Sequence, residues 1–115
     1  MPIAVVLLVS SNKTLRKIAN MLGEISTYFK GIVEVVVAKT KPTKGDIERL
    51  VDHGVRKVII LPIVENLKKN LEISHTENLR VADGKIKIVY ANPMIFSSRT
   101  SVKNLIIEIE KLLKP

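Results

Sequence analysis

The fold is decided by the stretch Gly54-Val55-Arg56-Lys57-Val58-Ile59-Ile60-Leu61-Pro62-Ile63-Val64. Its residues 58–61 are apolar without alternation, so this strand is expected to be buried on both faces, as in a parallel sheet covered by helices. Pro62 cannot donate a ladder hydrogen bond, which predicts that the strand leaves the sheet there. Ligands of open parallel sheets bind at the carboxyl ends of the strands, so a site is expected at the polar residues that begin with Glu65.

The chain before this strand alternates strand and helix. Ile3–Val9 is a second continuous apolar strand, and Ser10-Ser11-Asn12 are turn and N-cap residues for a helix that runs to about Phe29. A third strand follows at Ile32–Ala38. Its Glu34 interrupts the apolar run, which favours an edge position in the sheet.

The same alternation predicts the remaining elements. They are a helix capped by Thr43 and closed by His53-Gly54, a weakly periodic helix from about Asn66 to Val81, a strand at Lys85–Ala91, and a last helix capped by Thr100 or Ser101.

This order, β-α-β-α-β-α-β-α, predicts a single α/β domain over residues 1–115 with a four-stranded parallel sheet and helices on both faces. The two most apolar strands should be central neighbours, which gives the strand order 2-1-3-4. The switch point then lies between the first and third strands. The loops Ser10–Lys13 and Glu65–Asn70 are therefore expected to face each other across a crevice.

Composition excludes several kinds of function. The chain has 115 residues and no cysteine, so disulfides, thiolate metal ligands and a cysteine nucleophile are excluded. The run Ile3–Val9 is too short to span a bilayer and lacks a basic leader, so we expect a cytoplasmic protein without a membrane partner.

The formal net charge of +8 favours anionic partners. Many of the cations fall in loops or first helical turns at the predicted carboxyl ends of the strands: Lys13, Lys39, Lys41, Lys44, Lys68, Lys69 and Arg99. The chain has two Phe, two Tyr and no Trp, so few aromatic rings are available to stack on bases. This disfavours recognition of single-stranded nucleic acid.

No catalytic signature is intact. The first turn, Ser10-Ser11-Asn12-Lys13, contains no glycine and cannot form a phosphate-binding loop of the glycine-rich type. Of the two histidines, His53 is expected to cap a helix at the end opposite the crevice, and His75 falls nearer to it. Glu65 and Glu72 are the carboxylates nearest the mouth, and Glu65 is a candidate base or metal ligand.

A family resemblance rests on several runs taken in order: Val33-Glu34-Val35, Lys41-Pro42-Thr43, Ile47-Glu48-Arg49-Leu50-Val51 and Gly54 to Pro62. Together they resemble the small class II chelatases, the CbiX-like sirohydrochlorin cobaltochelatases of cobalamin biosynthesis. Tyr90-Ala91-Asn92-Pro93-Met94 is similar to the family's Ala-x-Pro-Leu turn, and the length is that of the half-size archaeal form.

The resemblance also shows a departure. The family's first strand runs into Gly-His-Gly-Ser, and here Ser11 stands in place of that histidine; Asn70 falls at the position of the second. The resemblance thus makes Ser11 and Asn70 candidate catalytic positions, and Glu65 is added to them because of its place directly after the central strand. The expected ligand-binding residues are Ser10, Asn12, Lys13, Lys41, Lys68, Lys69, Asn92 and Arg99.

The expected function is binding of an anionic tetrapyrrole or similar ligand, with weak or no metal insertion, because Ser and Asn are poor cobalt ligands and cannot take pyrrole protons as imidazole does. Two alternatives stay open. One is an active cobaltochelatase in which Glu65 and His75 bind cobalt or another divalent metal, and the other is a phosphate- or nucleic-acid-binding module. A homodimer through the segment Leu67–Leu79 is also expected.

Overall fold

A computed structural model of the chain describes residues 3–65, 75–81 and 84–114. Over these residues the elements are β1 (Ile3–Val9), α1 (Asn12–Tyr28), β2 (Glu34–Ala38), α2 (Lys44–Asp52), β3 (Lys57–Val64), β4 (His75–Val81), β5 (Gly84–Tyr90), β6 (Met94–Ile95) and α3 (Val102–Leu113).

The described strands form one mixed sheet in the order β2-β1-β3-β5-β4, with β6 pairing β3 beyond the end of β5. β1 pairs in parallel with both β2 and β3, and β3 pairs in parallel with β5. The α/β class is therefore confirmed, and the four strands predicted from the sequence lie in the predicted order. β2, which carries Glu34, is the outermost strand on its side.

The prediction of a purely parallel, four-stranded sheet is wrong because β4 adds an antiparallel edge. Residues 75–81, expected to be helical, pair with β5 in the register Glu77↔Ile88 and Leu79↔Ile86. Leu79 is half-buried, whereas Thr76, Glu77, Asn78 and Arg80 are exposed. Because β4 is so polar, its sequence shows no alternation of apolar and polar residues. Its hydrogen-bond ladder with β5 holds it in the sheet. Residues 66–74 of the predicted helix lie outside the described residues.

Each face of the sheet has its own apolar core. Val5, Leu7, Ile59 and Leu61 point to one face, where they pack with residues of α1 and α3 such as Ile18, Ile25, Leu105 and Ile109. Ala4, Val6, Val58 and Ile60 point to the other, under Ile47 and Val51 of α2. The predicted placement of helices on both faces is therefore confirmed.

The expectation that β3 leaves the sheet at Pro62 is wrong. Pro62 stays in register with Leu8 of β1, and the strand continues to Val64. On the other side of β3, the carbonyl of Ile60 accepts from Ala91 N–H at 2.9 Å and the carbonyl of Val64 accepts from Phe96 N–H at 2.8 Å. Alternate residues of a strand bond to the same side, so Pro62 faces the interval between β5 and β6, where its missing N–H interrupts no ladder.

Local signals set the helix ends. Ser11 is the N-cap of α1, Thr43 and Asp46 form a capping box on α2, and Ser101 does the same with Asn104 on α3. His53 is the C-cap of α2, as predicted. Among the described residues, no helix is long and apolar enough to cross a membrane.

Candidate functional site

The site lies at the switch point between β1 and β3. From its carboxyl end β1 continues through α1 to β2 on one side of the sheet, and β3 is followed by β4 and β5 on the other side, so the two central strands diverge in their connections here. A cleft of about 290 Å³ opens at this point. It is lined by Lys13, Thr14, Lys17, Glu65, Phe96, Ser97 and Ser98.

Glu65 lies at the centre of the polar contacts in this cleft. It directly follows β3, whose last two residues pair with Met94 and Ile95 of β6. The Thr14 hydroxyl donates to its Oε1 at 3.1 Å. Ser11 at the same time accepts from the Thr14 N–H at 3.4 Å as the N-cap of α1. The first turn of α1 and the end of β3 are thus joined through one carboxylate.

These neighbours lower the pKa of Glu65 below its ordinary value of 4.5. A hydrogen bond from Ser11 contributes most to this lowering of the pKa, followed by that from Thr14. Desolvation acts in the opposite direction, and the positive charges of Lys13 and Lys17 lower the pKa by smaller amounts. Hydrogen bonds and opposite charges both favour the ionised form. Glu65 is therefore a carboxylate at neutral pH.

Lys13 and Lys17 lie one turn apart on α1 and present two cations to the cleft. Lys13 is exposed and Lys17 is half-buried. Across from them, Ser97 and Ser98 belong to the turn between β6 and α3, in which the Ser97 N–H donates to Thr100 Oγ1 at 2.9 Å. The cleft therefore combines two ammonium groups, several hydroxyls and one carboxylate.

Of the predicted residues, the structure brings Ser11, Lys13 and Glu65 together. Ser10 and Asn12 are exposed neighbours in the β1–α1 connection. Arg99 is exposed in the turn beside the cleft, and its backbone N–H donates to Ser97 Oγ at 3.2 Å. Asn92 is exposed in the connection from β5 to β6.

Lys41 belongs to a different surface. Its Nζ lies 5.1 Å from the centroid of the Tyr90 ring, a residue that packs against the core under α2. Burial, then the charge of Glu77 and a hydrogen bond to it, raise the pKa of Tyr90. Lys41 thus occupies the face of the sheet opposite the cleft.

The backbones of Glu65 and His75 lie at different places along the sheet. Ile60, Tyr90 and His75 lie side by side in register, so the His75 backbone is two strands away from β3 and five residues short of Glu65 along it. At about 4.8 Å per strand and 3.3 Å per residue, the two backbones are roughly 19 Å apart.

Within the described residues, no group of three or more His, Cys, Asp or Glu side chains could hold a metal ion. Four residues of interest, Lys68, Lys69, Asn70 and Glu72, lie outside the described residues, so their predicted roles stay predictions.

Sequence reasoning missed Thr14, Lys17, Phe96, Ser97 and Ser98. A signal was present for Thr14, which stands four residues before Ile18 on the buried stripe of α1 and is only 4% exposed. A polar residue on an apolar stripe implies a fixed partner, because a buried hydroxyl without one is costly. Lys17 could also have been found, as the residue one turn after Lys13.

A second groove of about 350 Å³ lies between α2 and β2. Apolar side chains such as Val6, Val36 and Leu50 line it, with Arg49 and His53 also contributing. Arg49 bonds to Asp46, which leaves this groove less suited to an anion than the cleft.

Comparisons with protein-family models, with curated proteins and with solved structures give no match. The fold and the cleft by themselves define an open α/β sheet protein with a polar site at its switch point.

Proposed function

We propose that the protein binds a small polyanionic ligand in the cleft at the switch point, and that it inserts metal weakly or not at all. The observation that carries the proposal is the pair Lys13 and Lys17, which line the cleft where open α/β sheets bind their ligands. Their ammonium groups and the hydroxyls of Ser97 and Ser98 suit carboxylate oxygens.

An anionic tetrapyrrole is the ligand that the resemblance to the class II chelatases indicates. Such a macrocycle carries several carboxylates on its periphery. The cleft of about 290 Å³ would admit one edge of it, and the remainder would extend over the neighbouring loops, where Ser10 and Arg99 are exposed.

Weak metal insertion follows from the surroundings of Ser11. Its hydroxyl accepts from the Thr14 N–H as the N-cap of α1, so it is already engaged at the position where the resemblance places a histidine. A neutral hydroxyl is a poor ligand for cobalt and a poor base near neutral pH. Cobalt or another divalent metal would therefore be a poor substrate.

The test is a fluorescence titration with uroporphyrin, a tetrapyrrole with eight carboxylates. We expect the double variant Lys13→Ala/Lys17→Ala to bind at least about tenfold more weakly, since charge-assisted hydrogen bonds are the strong ones and 1.4 kcal/mol is a factor of ten.

The matched control is Lys30→Ala/Lys111→Ala. It removes the same charge beyond the end of α1 and in the last turn of α3, away from the cleft. We expect its affinity to stay within about twofold of wild type, because salt screens charges beyond about 10 Å. Equal losses in both double variants would show that uroporphyrin responds only to net charge, and the proposal would be wrong.

A second measurement addresses the rival activity. Cobalt insertion into sirohydrochlorin should proceed close to its uncatalysed rate. Rapid insertion that is lost in Glu65→Gln would support an active chelatase instead, with Glu65 as its base.

A further inference from the structure

Glu65 is held in a fixed place at the cleft. On one side, Phe96 N–H donates to the carbonyl of the preceding residue, Val64, at 2.8 Å. On the other, the carboxylate bonds to the hydroxyl of Thr14, a buried residue in the first turn of α1. Because both anchors belong to regular elements, the position of the carboxylate is set before any ligand arrives.

The carboxylate keeps hydrogen-bonding capacity for a ligand. An ionised carboxylate offers about four lone-pair sites. The hydroxyl of Thr14 uses part of this capacity, while Glu65 itself is exposed and lines the cleft. The remaining lone pairs can accept from an N–H group in the cleft.

The cleft therefore carries both signs of charge. Lys13 and Lys17 attract an anion, but a plain anion bound to them would also approach the negative charge of Glu65. A ligand that places an N–H donor beside its anionic group satisfies the lysines and the carboxylate together. With such a ligand, a charge-assisted hydrogen bond to Glu65 replaces the repulsion between Glu65 and a plain anion.

We infer that the ligand of this cleft is a carboxylate with an adjacent N–H or ammonium donor, and that Glu65 is the residue that selects it over plain polyanions. This inference rests on the proposed function of the cleft and narrows its ligand class. Carboxylates that carry an amino group beside the carboxylate belong to the class, and inorganic phosphate, the nucleic-acid backbone and simple dicarboxylates do not. Uroporphyrin, whose N–H groups lie at the centre of the ring and its carboxylates at the edge, probes the two lysines and is not a member of the class.

The test compares L-glutamate with glutarate, which share a carbon chain and two carboxylates and differ in the ammonium group. Binding is followed by amide chemical shifts of Lys13, Thr14, Ser97 and Ser98. We expect wild type to bind L-glutamate about tenfold more tightly, because a hydrogen bond to a charged group is worth about 1.5–3 kcal/mol. Attraction to the lysines alone would favour glutarate, which carries the larger negative charge.

Glu65→Gln keeps an acceptor oxygen for the Ser11 and Thr14 hydroxyls but removes the charge. We expect the preference for L-glutamate to disappear in this variant and glutarate to bind more tightly than to wild type. Glu24→Gln, the same change at an exposed position later in α1, is the control and should keep the wild-type preference.

Two results would overturn the inference. One is that wild type prefers glutarate and that Glu65→Gln raises the affinity for both ligands equally. In that case the proposed anion site would still stand if Lys13→Ala/Lys17→Ala lowers the affinity for both ligands. The other is the absence of any shift at these amides with either ligand at the highest soluble concentration. The uroporphyrin titration then decides the proposed function separately.

Discussion

At the scale of single residues, Thr14 and Glu65 define the cleft. They are 51 positions apart in the chain, and their side chains meet at 3.1 Å. Thr14 places a hydroxyl on the otherwise apolar stripe of α1, and this hydroxyl orients the carboxylate of Glu65. A comparable arrangement occurs on α2, where hydrogen bonds to the Thr43 backbone and side chain lower the pKa of Asp46.

Replacing Thr14 by valine preserves the side-chain shape and removes the donor. We expect the pKa of Glu65 to rise toward its ordinary value of 4.5, with part of the lowering retained through Ser11. A carboxyl group whose pKa is lowered by folding adds stability above its unfolded pKa, and this stability is lost as the pH falls through the folded pKa. The stability difference between wild type and Thr14→Val should therefore narrow as the pH falls from the unfolded pKa of Glu65, 4.5, through its lower folded pKa.

Carbon-13 NMR titration of the Glu65 carboxyl and urea unfolding at neutral and acidic pH measure these effects. Thr14→Ser keeps the hydroxyl and should keep the low pKa. An unchanged pKa in Thr14→Val would mean that the hydroxyl does not orient Glu65.

At the scale of elements, β3 continues through Pro62 without leaving the sheet. Pro62 is tolerated because the adjoining chain between β5 and β6 is not in strand pairing with β3 there. The same residue two positions earlier would meet β5 directly, since Ile60 pairs with Tyr90.

This position-dependence can be measured by urea unfolding. We expect Pro62→Ala to change the free energy of unfolding by no more than about 1 kcal/mol, because the native backbone already suits proline and no ladder bond is added. Ile60→Pro should cost about 3 kcal/mol or more, because it removes both a ladder bond and a core side chain.

Similar costs at the two positions would contradict the strand pairing described for β3. Ile60→Val, which keeps the ladder and should cost only about 0.5–1.5 kcal/mol, separates the packing effect from the backbone effect.

At the scale of the whole molecule, the positive charge is spread over two faces. Lys13 and Lys17 face the cleft, whereas Lys41 lies over Tyr90 on the α2 side and Lys44 is exposed at the start of α2. A small ligand needs the first pair, and a nucleic-acid backbone would use the outer lysines. The predicted homodimer stays a prediction. Leu79, one end of the segment expected to form it, packs within its own chain.

Two variants distinguish binding of a small ligand at the cleft from binding of nucleic acid by the outer lysines. Ser10→Trp, at the exposed mouth between β1 and α1, should block a macrocycle sterically and leave binding of duplex DNA unchanged. Lys41→Ala/Lys44→Ala should weaken duplex DNA binding and lower its salt slope by roughly 0.9 for each phosphate that these lysines neutralise in wild type.

We expect uroporphyrin binding to fail in Ser10→Trp and to persist in the lysine variant, with fluorescence anisotropy at several salt concentrations as the DNA measurement. Uroporphyrin binding to Ser10→Trp at wild-type affinity would show that the macrocycle does not extend over the connection between β1 and α1.

The sequence by itself determined the elements that depend on local order. Continuous apolar runs predicted β1 and β3 as central neighbours, and caps such as Ser11 and Thr43 predicted where helices begin, because periodicity and capping involve residues close in the chain. The alternation of strands and helices also placed a candidate site at the carboxyl ends of the strands, with Ser11, Lys13 and Glu65 in it.

Only the tertiary structure decided the rest. β4 is a polar edge strand held by its ladder to β5, and no periodicity reveals such a strand. Pro62 remains in the sheet because of where β5 ends, which is a property of its neighbour. Thr14, Lys17 and Ser97 join Glu65 only when the chain folds, because hydrogen bonds and charges act through space between residues that the sequence keeps far apart.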